Sequence, residues 1–381
     1  MDKKKRKINL LFIIWSFTYG GGAERVLSTL VNSLDKDKYN IDILEYWHSN
    51  INNEHVNDNV KLLNPVVDSI KENRISKVFK MMLLYIKPSI LRKKYIRKNY
   101  DVEISYNYLI PTFLIKKTGK TIAWIHGDVY DLLDNKLKYY FQKKALKNVN
   151  YIVAISKKTF NSIIEVYPEY KDKTIIINNS YDFNTIINKS NEFIIKKNEK
   201  LKQLLYLGRF DENKNPLYLI EVMKQLKEKK AMCKLIFMGC GDLKKQMEDK
   251  IEEYQLSNMI TIMDYQKNPY PYIKQTDVIV GCSHSEGFPT VFVEGMIFGK
   301  PFVSTNVGGA NELSNDSKCG LVAKTKEEYT DCLLELINNE EKYQKMSNEC
   351  KKFVDKYSCE KQSKEVSKLI DNVLRGDINE K

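Results

Sequence analysis

Short, nearly continuous apolar runs alternate with amphipathic helical patterns along this whole chain, and no other feature restricts the fold as much. In the first half the runs fall at 8–17, 40–47, 100–107, 120–126, 151–156 and 173–178. In the second half they fall at 203–208, 233–239, 259–264, 277–282 and 301–305. A strand wet on one face alternates apolar and polar residues. A strand that is apolar throughout is covered on both faces, as inside a parallel sheet flanked by helices. Between the runs lie patterns such as 23–34, where Val26, Leu27, Leu30, Val31 and Leu34 share one helical face. An α/β protein built on parallel sheets is expected.

The chain has 381 residues, more than one hydrophobic core usually organises. The polar stretch from Asn179 to Lys202, rich in Asn and Lys, separates one set of strands from a fresh set beginning at Leu204. Domains are therefore expected at 1–185 and 186–356, with one more polar helix over 357–381. No window reaches the roughly 18 consecutive apolar residues of a membrane span. The basic start followed by apolar Ile8 to Phe17 superficially resembles a secretory signal. It leads into Gly20-Gly21-Gly22-Ala23-Glu24-Arg25 rather than a small-residue cleavage site, so a buried first strand is the better reading.

Seven cysteines, none in the first half and none paired as C-x-x-C, point to reduced thiols and a cytoplasmic location. The four histidines show no zinc spacing. The formal charge of +13 is concentrated: residues 71–98 hold ten basic residues against one acid, Glu72. Within that segment Ile75, Val78, Phe79, Met82, Leu83 and Ile86 recur at helical spacing. Two readings are open: a basic amphipathic helix on an anionic membrane surface, or a core-facing helix with a solvated lysine face. No nucleic-acid signature accompanies the charge.

Three glycine-containing loops follow strands. The first, Tyr19-Gly20-Gly21-Gly22-Ala23-Glu24-Arg25, could bring backbone amides and a helix N-terminus to an anion. It is not G-x-G-x-x-G, and no acid is expected to end the next strand as a dinucleotide's ribose partner. The second, Gly208-Arg209-Phe210-Asp211-Glu212-Asn213-Lys214-Asn215, places two cations beside a helix start, an arrangement suited to a diphosphate. In the third, Ser283-His284-Ser285-Glu286-Gly287-Phe288-Pro289, Pro289 suits the first turn of a helix that Gly299 ends. Glu286 is then expected in the loop and Glu294 on the second helical turn, where the two can accept from different hydroxyls of one ligand. The only D-x-D, Asp35-Lys36-Asp37, reads as a surface turn.

Taken in order, these pieces resemble the family 4 glycosyltransferases, retaining enzymes of the GT-B fold. The matching elements are Gly21-Gly22-Ala23-Glu24-Arg25-Val26, Trp124-Ile-His126-Gly127, Ile155-Ser156, Asn179-x-x-Asp182, Gly208-Arg209 with Lys214-Asn215, Gly239-x-Gly241, Glu286-Gly-Phe-Pro with Glu294, Gly299-Lys-Pro301, and Gly308-Gly309 with Glu312. The one departure is Gly295, where the family usually has alanine. The resemblance implies two Rossmann-like domains facing each other across a cleft, with the last helix crossing back to the first. It implies that Arg209 and Lys214 bind the diphosphate, Glu294 the ribose, and Glu286 with Gly287 and Phe288 the transferred sugar. Gly21 and Gly22 would close onto the phosphates, and His126 would lie near sugar and acceptor. Gly208, Gly239, Gly241, Pro289 and Thr290 complete the expected donor set.

Fixed cations can stabilise a departing diphosphate without a metal, so a metal-independent enzyme is expected, with a nucleotide sugar, UDP-linked by preference, as substrate. The resemblance implies a glycan or polyprenyl-linked acceptor in cell-surface polysaccharide synthesis, with the enzyme in the cytoplasm or on the inner face of the membrane. Two alternatives are a non-catalytic nucleotide-sugar-binding protein and a GT-B nucleotide-sugar epimerase.

Overall fold

The computed structural model describes residues 6–18, 22–51, 55–107, 110–132, 136–196 and 200–376. The chain divides into two compact units, one of residues 1–181 with 359–381 and one of 182–358.

The first unit holds β1 (Ile8–Ile14), β2 (Tyr39–Glu45), β3 (Trp47–His48), β4 (Val60–Leu62), β5 (Val67–Asp68), β6 (Val102–Ser105), β7 (Thr121–Ile125), β8 (Tyr151–Ala154) and β9 (Thr174–Ile176). Seven of these make one parallel sheet in the order β4-β2-β1-β6-β7-β8-β9, and β3 pairs with β5 apart from it. β1 is paired on both edges, and its Leu10, Leu11, Phe12 and Ile13 are fully buried. That placement explains a run with no polar alternation.

The second unit holds β10 (Lys202–Leu207), β11 (Cys233–Met238), β12 (Ile260–Met263), β13 (Val278–Gly281), β14 (Phe302–Thr305) and β15 (Gly320–Ala323). They form a parallel sheet in the order β12-β11-β10-β13-β14-β15. Its core gathers Leu204, Tyr206, Leu235, Phe237, Val278, Val280 and Val303.

Both sheets are doubly wound. In the second unit the chain runs outward from β10 to β12, then returns to the other side of β10 and runs outward from β13 to β15. In the first unit the same reversal falls between β1 and β6. Where strand order reverses, the loops leaving neighbouring carboxyl ends turn apart and open a crevice, the usual ligand position in open α/β sheets.

Several elements differ from the sequence-based expectations. β4, β5 and β15 have no counterpart among the predicted runs, and the polar stretch after Asn179 contains a helix, Phe183–Lys189, capped by Asp182. The segment 71–98 forms two helices, Arg74–Ile86 and Pro88–Tyr95, because Pro88 suits a first turn but not a helix interior. The last helix, Cys359–Arg375, packs on the helix Gly22–Ser33 and on β6. Its Val366, Leu369, Ile370 and Val373 are buried at helical spacing, and Lys38 bonds Asp371 at 2.8 Å. All three tryptophans, Trp15, Trp47 and Trp124, lie in the first unit, so their fluorescence reports its unfolding. Ile370→Ala is expected to destabilise that transition by about 2–5 kcal/mol. A loss below about 1 kcal/mol would mean that the last helix does not share the unit's core.

Candidate active site

At the β10–β13 reversal, two loops are laced together by their own backbone and side chains. In the loop after β10, the Tyr206 hydroxyl donates to the Arg209 carbonyl at 2.8 Å, and Phe210 anchors the turn as a fully buried ring. Asp211 then organises both cations. Its carboxylate accepts the Lys214 amide at 2.8 Å and lies 3.0 Å from the Arg209 guanidinium, which remains two-thirds exposed at 66%. Asn215, in the left-handed region at φ 48°, turns the chain into the helix Pro216–Glu228.

The loop after β13 is tied to this one. The buried Cys282 thiol donates to the carbonyls of Lys214 and Asn215 at 3.2 and 3.1 Å. Burial pushes that thiol well above its ordinary range, so it stays protonated. The His284 amide donates to the Asn213 carbonyl at 2.8 Å, and the Asn213 side chain returns a bond to Ser285 at 3.2 Å. The result is that the Lys214 ammonium meets the Glu286 carboxylate directly, both half-buried. Ser283 donates to the same carboxylate oxygen at 2.7 Å, and Thr305, at the end of β14, fixes the Ser283 carbonyl at 2.9 Å.

Two glycines set how closely the surrounding loops can approach. A Cβ on Gly239 would overlap the Gly208 carbonyl oxygen, and one on Gly308 would overlap the Glu286 carbonyl oxygen. Each therefore holds a neighbouring loop at backbone contact, which no larger residue permits. Gly241 follows the exposed Cys240 beside Phe210, and the nearby Tyr265 is also exposed.

Beyond Glu286 the chain passes half-buried Gly287 and buried Phe288, whose ring lies 5.5 Å from that of Tyr357. The helix begins at Thr290, with Pro289 as its cap rather than inside its first turn. That correction moves the boundary by one residue and leaves Glu294 on the second turn, where it is buried. Gly295 now has a physical reason: a Cβ there would press to 2.7 Å on Ile279 of β13.

In the first unit Gly22 opens the helix Gly22–Ser33 after β1, while Gly21 lies outside the described residues. His126 follows β7, its ring 4.6 Å from that of Tyr106. Its Nε2 is buried and has no hydrogen-bond partner among the described residues. Burial lowers its pKa to about 4, against a weaker opposing effect from the Tyr106 backbone, so the ring is neutral near pH 7.

Sequence reasoning missed a polar cluster here. Glu45 is the last residue of β2, contrary to the expectation that no acid ends that strand. It does not stand free for a ribose: it accepts Phe17 N at 2.9 Å and the Thr18 hydroxyl at 3.2 Å, and it meets His48 Nδ1 at 2.5 Å. It also missed Asp211, Ser283 and Thr305, which act on the candidate residues rather than as them. The Asp211-x-x-Lys214 spacing was the one available signal. Asp35 accepts the Asp37 amide at 2.8 Å in an exposed turn. Among the described residues no group of three or more His, Cys, Asp or Glu is placed to hold a metal ion.

Residues 188–353 match the family described as glycosyl transferases group 1. The chain carries a group 1 glycosyltransferase domain. Across 344 residues it is 26% identical to a Campylobacter jejuni α-1,4-N-acetylgalactosaminyltransferase that acts on an undecaprenol-diphosphate-linked glycan, covering 89% of this chain and 91% of that one. It is also 26% identical over 323 residues to an uncharacterized glycosyltransferase of Methanocaldococcus jannaschii, covering 80% of this chain and 76% of the relative. The solved structure of Anabaena HepE in complex with UDP matches with a TM-score of 0.73 at 14% identity, over 96% of this chain and all of that one (100%). The fold is GT-B, and the loops laced at the β10–β13 reversal lie within the matched domain.

A neutral His126 has a consequence for stability. Its folded pKa lies below the unfolded value of 6.5, so the unfolded chain takes up the extra proton as pH falls from about 6.5 to 4. The wild type should lose up to about 3 kcal/mol relative to His126→Gln across that window, measured by unfolding at each pH. A difference that does not change with pH would contradict the buried, neutral ring.

Proposed function

We propose that this glycosyltransferase is a retaining, metal-independent member of family 4. In this reading it moves a hexose-type sugar from a UDP-sugar to a glycan or polyprenyl-linked acceptor in cell-surface polysaccharide synthesis, such as that of a capsule. It works in the cytoplasm, peripherally at the inner face of the cell membrane. The observation that carries the reading is the Lys214–Glu286 pair, which sets a cation and a carboxylate side by side at the strand-order reversal.

Breaking the bond between sugar and diphosphate leaves negative charge on the departing phosphate. Arg209 and Lys214 supply fixed positive charge for it, preorganised by Asp211, and no metal is required for that role. Glu286, with Gly287 and Phe288, holds the sugar, the buried Glu294 accepts from the ribose, and Pro289 and Thr290 complete the donor set. Gly208, Gly239 and Gly241 let the backbone come close to the nucleotide. The resemblance assigns the phosphates to Gly21 and Gly22 as well, and the sugar and acceptor to the neutral His126.

A carboxylate engaged by Lys214 and Ser283 is poorly suited to attack carbon, which favours Glu286 as a holder of hydroxyls over a covalent nucleophile. Retention then proceeds on one face, with the leaving phosphate taking the acceptor's proton. The preference for UDP is supported by the structural neighbour solved with that nucleotide, and the lipid-linked acceptor by the Campylobacter relative.

Sugar transfer by purified protein from a panel of UDP- and GDP-sugars tests the proposal. Glu286→Gln should lower kcat/KM by about a hundredfold or more while leaving thermal unfolding nearly unchanged. Near-normal transfer by the folded variant would overturn the role. A chelator should not affect the rate. Loss of transfer restored by Mg²⁺ or Mn²⁺ would overturn metal independence.

A further inference from the structure

One helix of the first unit presents apolar residues on two sides, toward the core and toward solvent. On the side of Arg74–Ile86 turned toward the protein, Leu84 is buried and Met81 and Leu83 pack on the core, and that side also carries two lysines. The Lys77 ammonium donates to the Ser69 carbonyl at 2.7 Å. The Lys80 ammonium bonds the Val66 carbonyl and the Glu72 carboxylate, both at 2.6 Å. The opposite side is apolar and exposed: Ile75 80%, Val78 62%, Phe79 52%, Met82 47% and Ile86 73%. Those five positions form one stripe at helical spacing. A helix of a water-soluble protein normally turns such a stripe inward. The reading of 71–98 as a core-facing helix with a solvated lysine face holds only in part: Met81, Leu83 and Leu84 face the core, but Lys77 and Lys80 are bonded to the protein and the apolar stripe points out.

The surroundings say what could cover the stripe. Ile90, on the following helix Pro88–Tyr95, is exposed at its end. The helix Lys136–Leu146 adjoins through the rings of Tyr85 and Phe141, 5.8 Å apart, and adds exposed Leu137 and Tyr140. Arg74, Lys87, Lys93, Lys94 and Arg97 are exposed around the apolar residues, and the one acid of the segment, Glu72, is engaged by Lys80. Two copies docked through this face would bring these cations against each other. An anionic lipid surface meets both requirements at once, taking the apolar side chains below the headgroups and the cations among them.

We propose that the outward face of Arg74–Ile86, with Ile90, Leu137 and Tyr140 beside it, seats this protein on an anionic bilayer. The inference deepens the peripheral location proposed above and rests on it, but it does not depend on the transfer chemistry. The helix lies along the interface. No helix among the described residues is long and apolar enough to cross a membrane.

The test is co-sedimentation of the full chain with vesicles of phosphatidylglycerol and phosphatidylethanolamine, beside vesicles of phosphatidylcholine alone. Binding is expected to the anionic vesicles and to weaken as salt rises. Ile75→Ser/Phe79→Ser/Ile86→Ser should reduce it by roughly tenfold or more, with thermal unfolding unchanged because these side chains are already exposed. In Phe79→Trp, brominated lipid should quench the new fluorophore. Absence of binding by the wild type at physiological salt, equal binding by the triple variant, or no quenching would overturn the proposal. So would a stable homodimer that the triple variant dissolves, since the stripe would then be a protein contact. Sugar transfer to a water-soluble acceptor, measured on both proteins without lipid, keeps the two readings apart. Transfer without vesicle binding removes the docking surface alone, and vesicle binding without transfer removes the enzymatic reading alone.

Discussion

The contact between Lys214 and Glu286 is the interaction on which the candidate site depends, and it is costly to arrange. Partly desolvating two charges is unfavourable unless each keeps further partners. Ser283 supplies one for the carboxylate, while Asp211, bonded to the backbone amide of Lys214, holds the loop that carries the ammonium. The two loops are in turn held by the Cys282 thiol, the Asn213 backbone and side chain, and the close approach of Gly308. None of these groups has to touch a substrate. Their common effect is to place one positive and one negative group at the open end of a doubly wound sheet, oriented before any ligand arrives. Preorganisation of that kind is what makes electrostatic stabilisation of a leaving group effective.

Local rules made much of this legible. Continuous apolar runs identified the central strands because burial on both faces leaves its mark residue by residue, as in β1. Glycine-bearing loops after strands marked the carboxyl ends. β4 and β15 are short edge strands that escaped notice, whereas the equally short edge strands β9 and β12 lie within apolar runs that were read. The pairing of Lys214 with Glu286 spans 72 residues and follows from strand order, which no local pattern encodes. The same holds for Glu45, whose role became visible only when β1 and β2 brought Thr18 and His48 beside it.

Among the described residues, local and global preferences conflict at several places, including a buried histidine with an unpartnered nitrogen, a half-buried ion pair, and a helix with its apolar stripe in water. Each is unfavourable for folding alone. Such conflicts are expected where a chain serves something beyond its own stability. In the proposed function the histidine belongs to the acceptor side of the reaction, the ion pair to the donor, and the stripe to the bilayer.

The most direct measurement of the central claim is calorimetric binding of UDP and of a UDP-sugar to the wild type, Lys214→Met and Glu286→Gln. Lys214→Met should weaken both ligands by roughly tenfold to a hundredfold, since both carry the diphosphate. Glu286→Gln keeps an amide oxygen that can accept from Lys214 and Ser283, so it should leave UDP affinity within about twofold and lose only what the sugar adds. Unchanged UDP affinity in Lys214→Met would contradict the placement of the diphosphate, and with it the site.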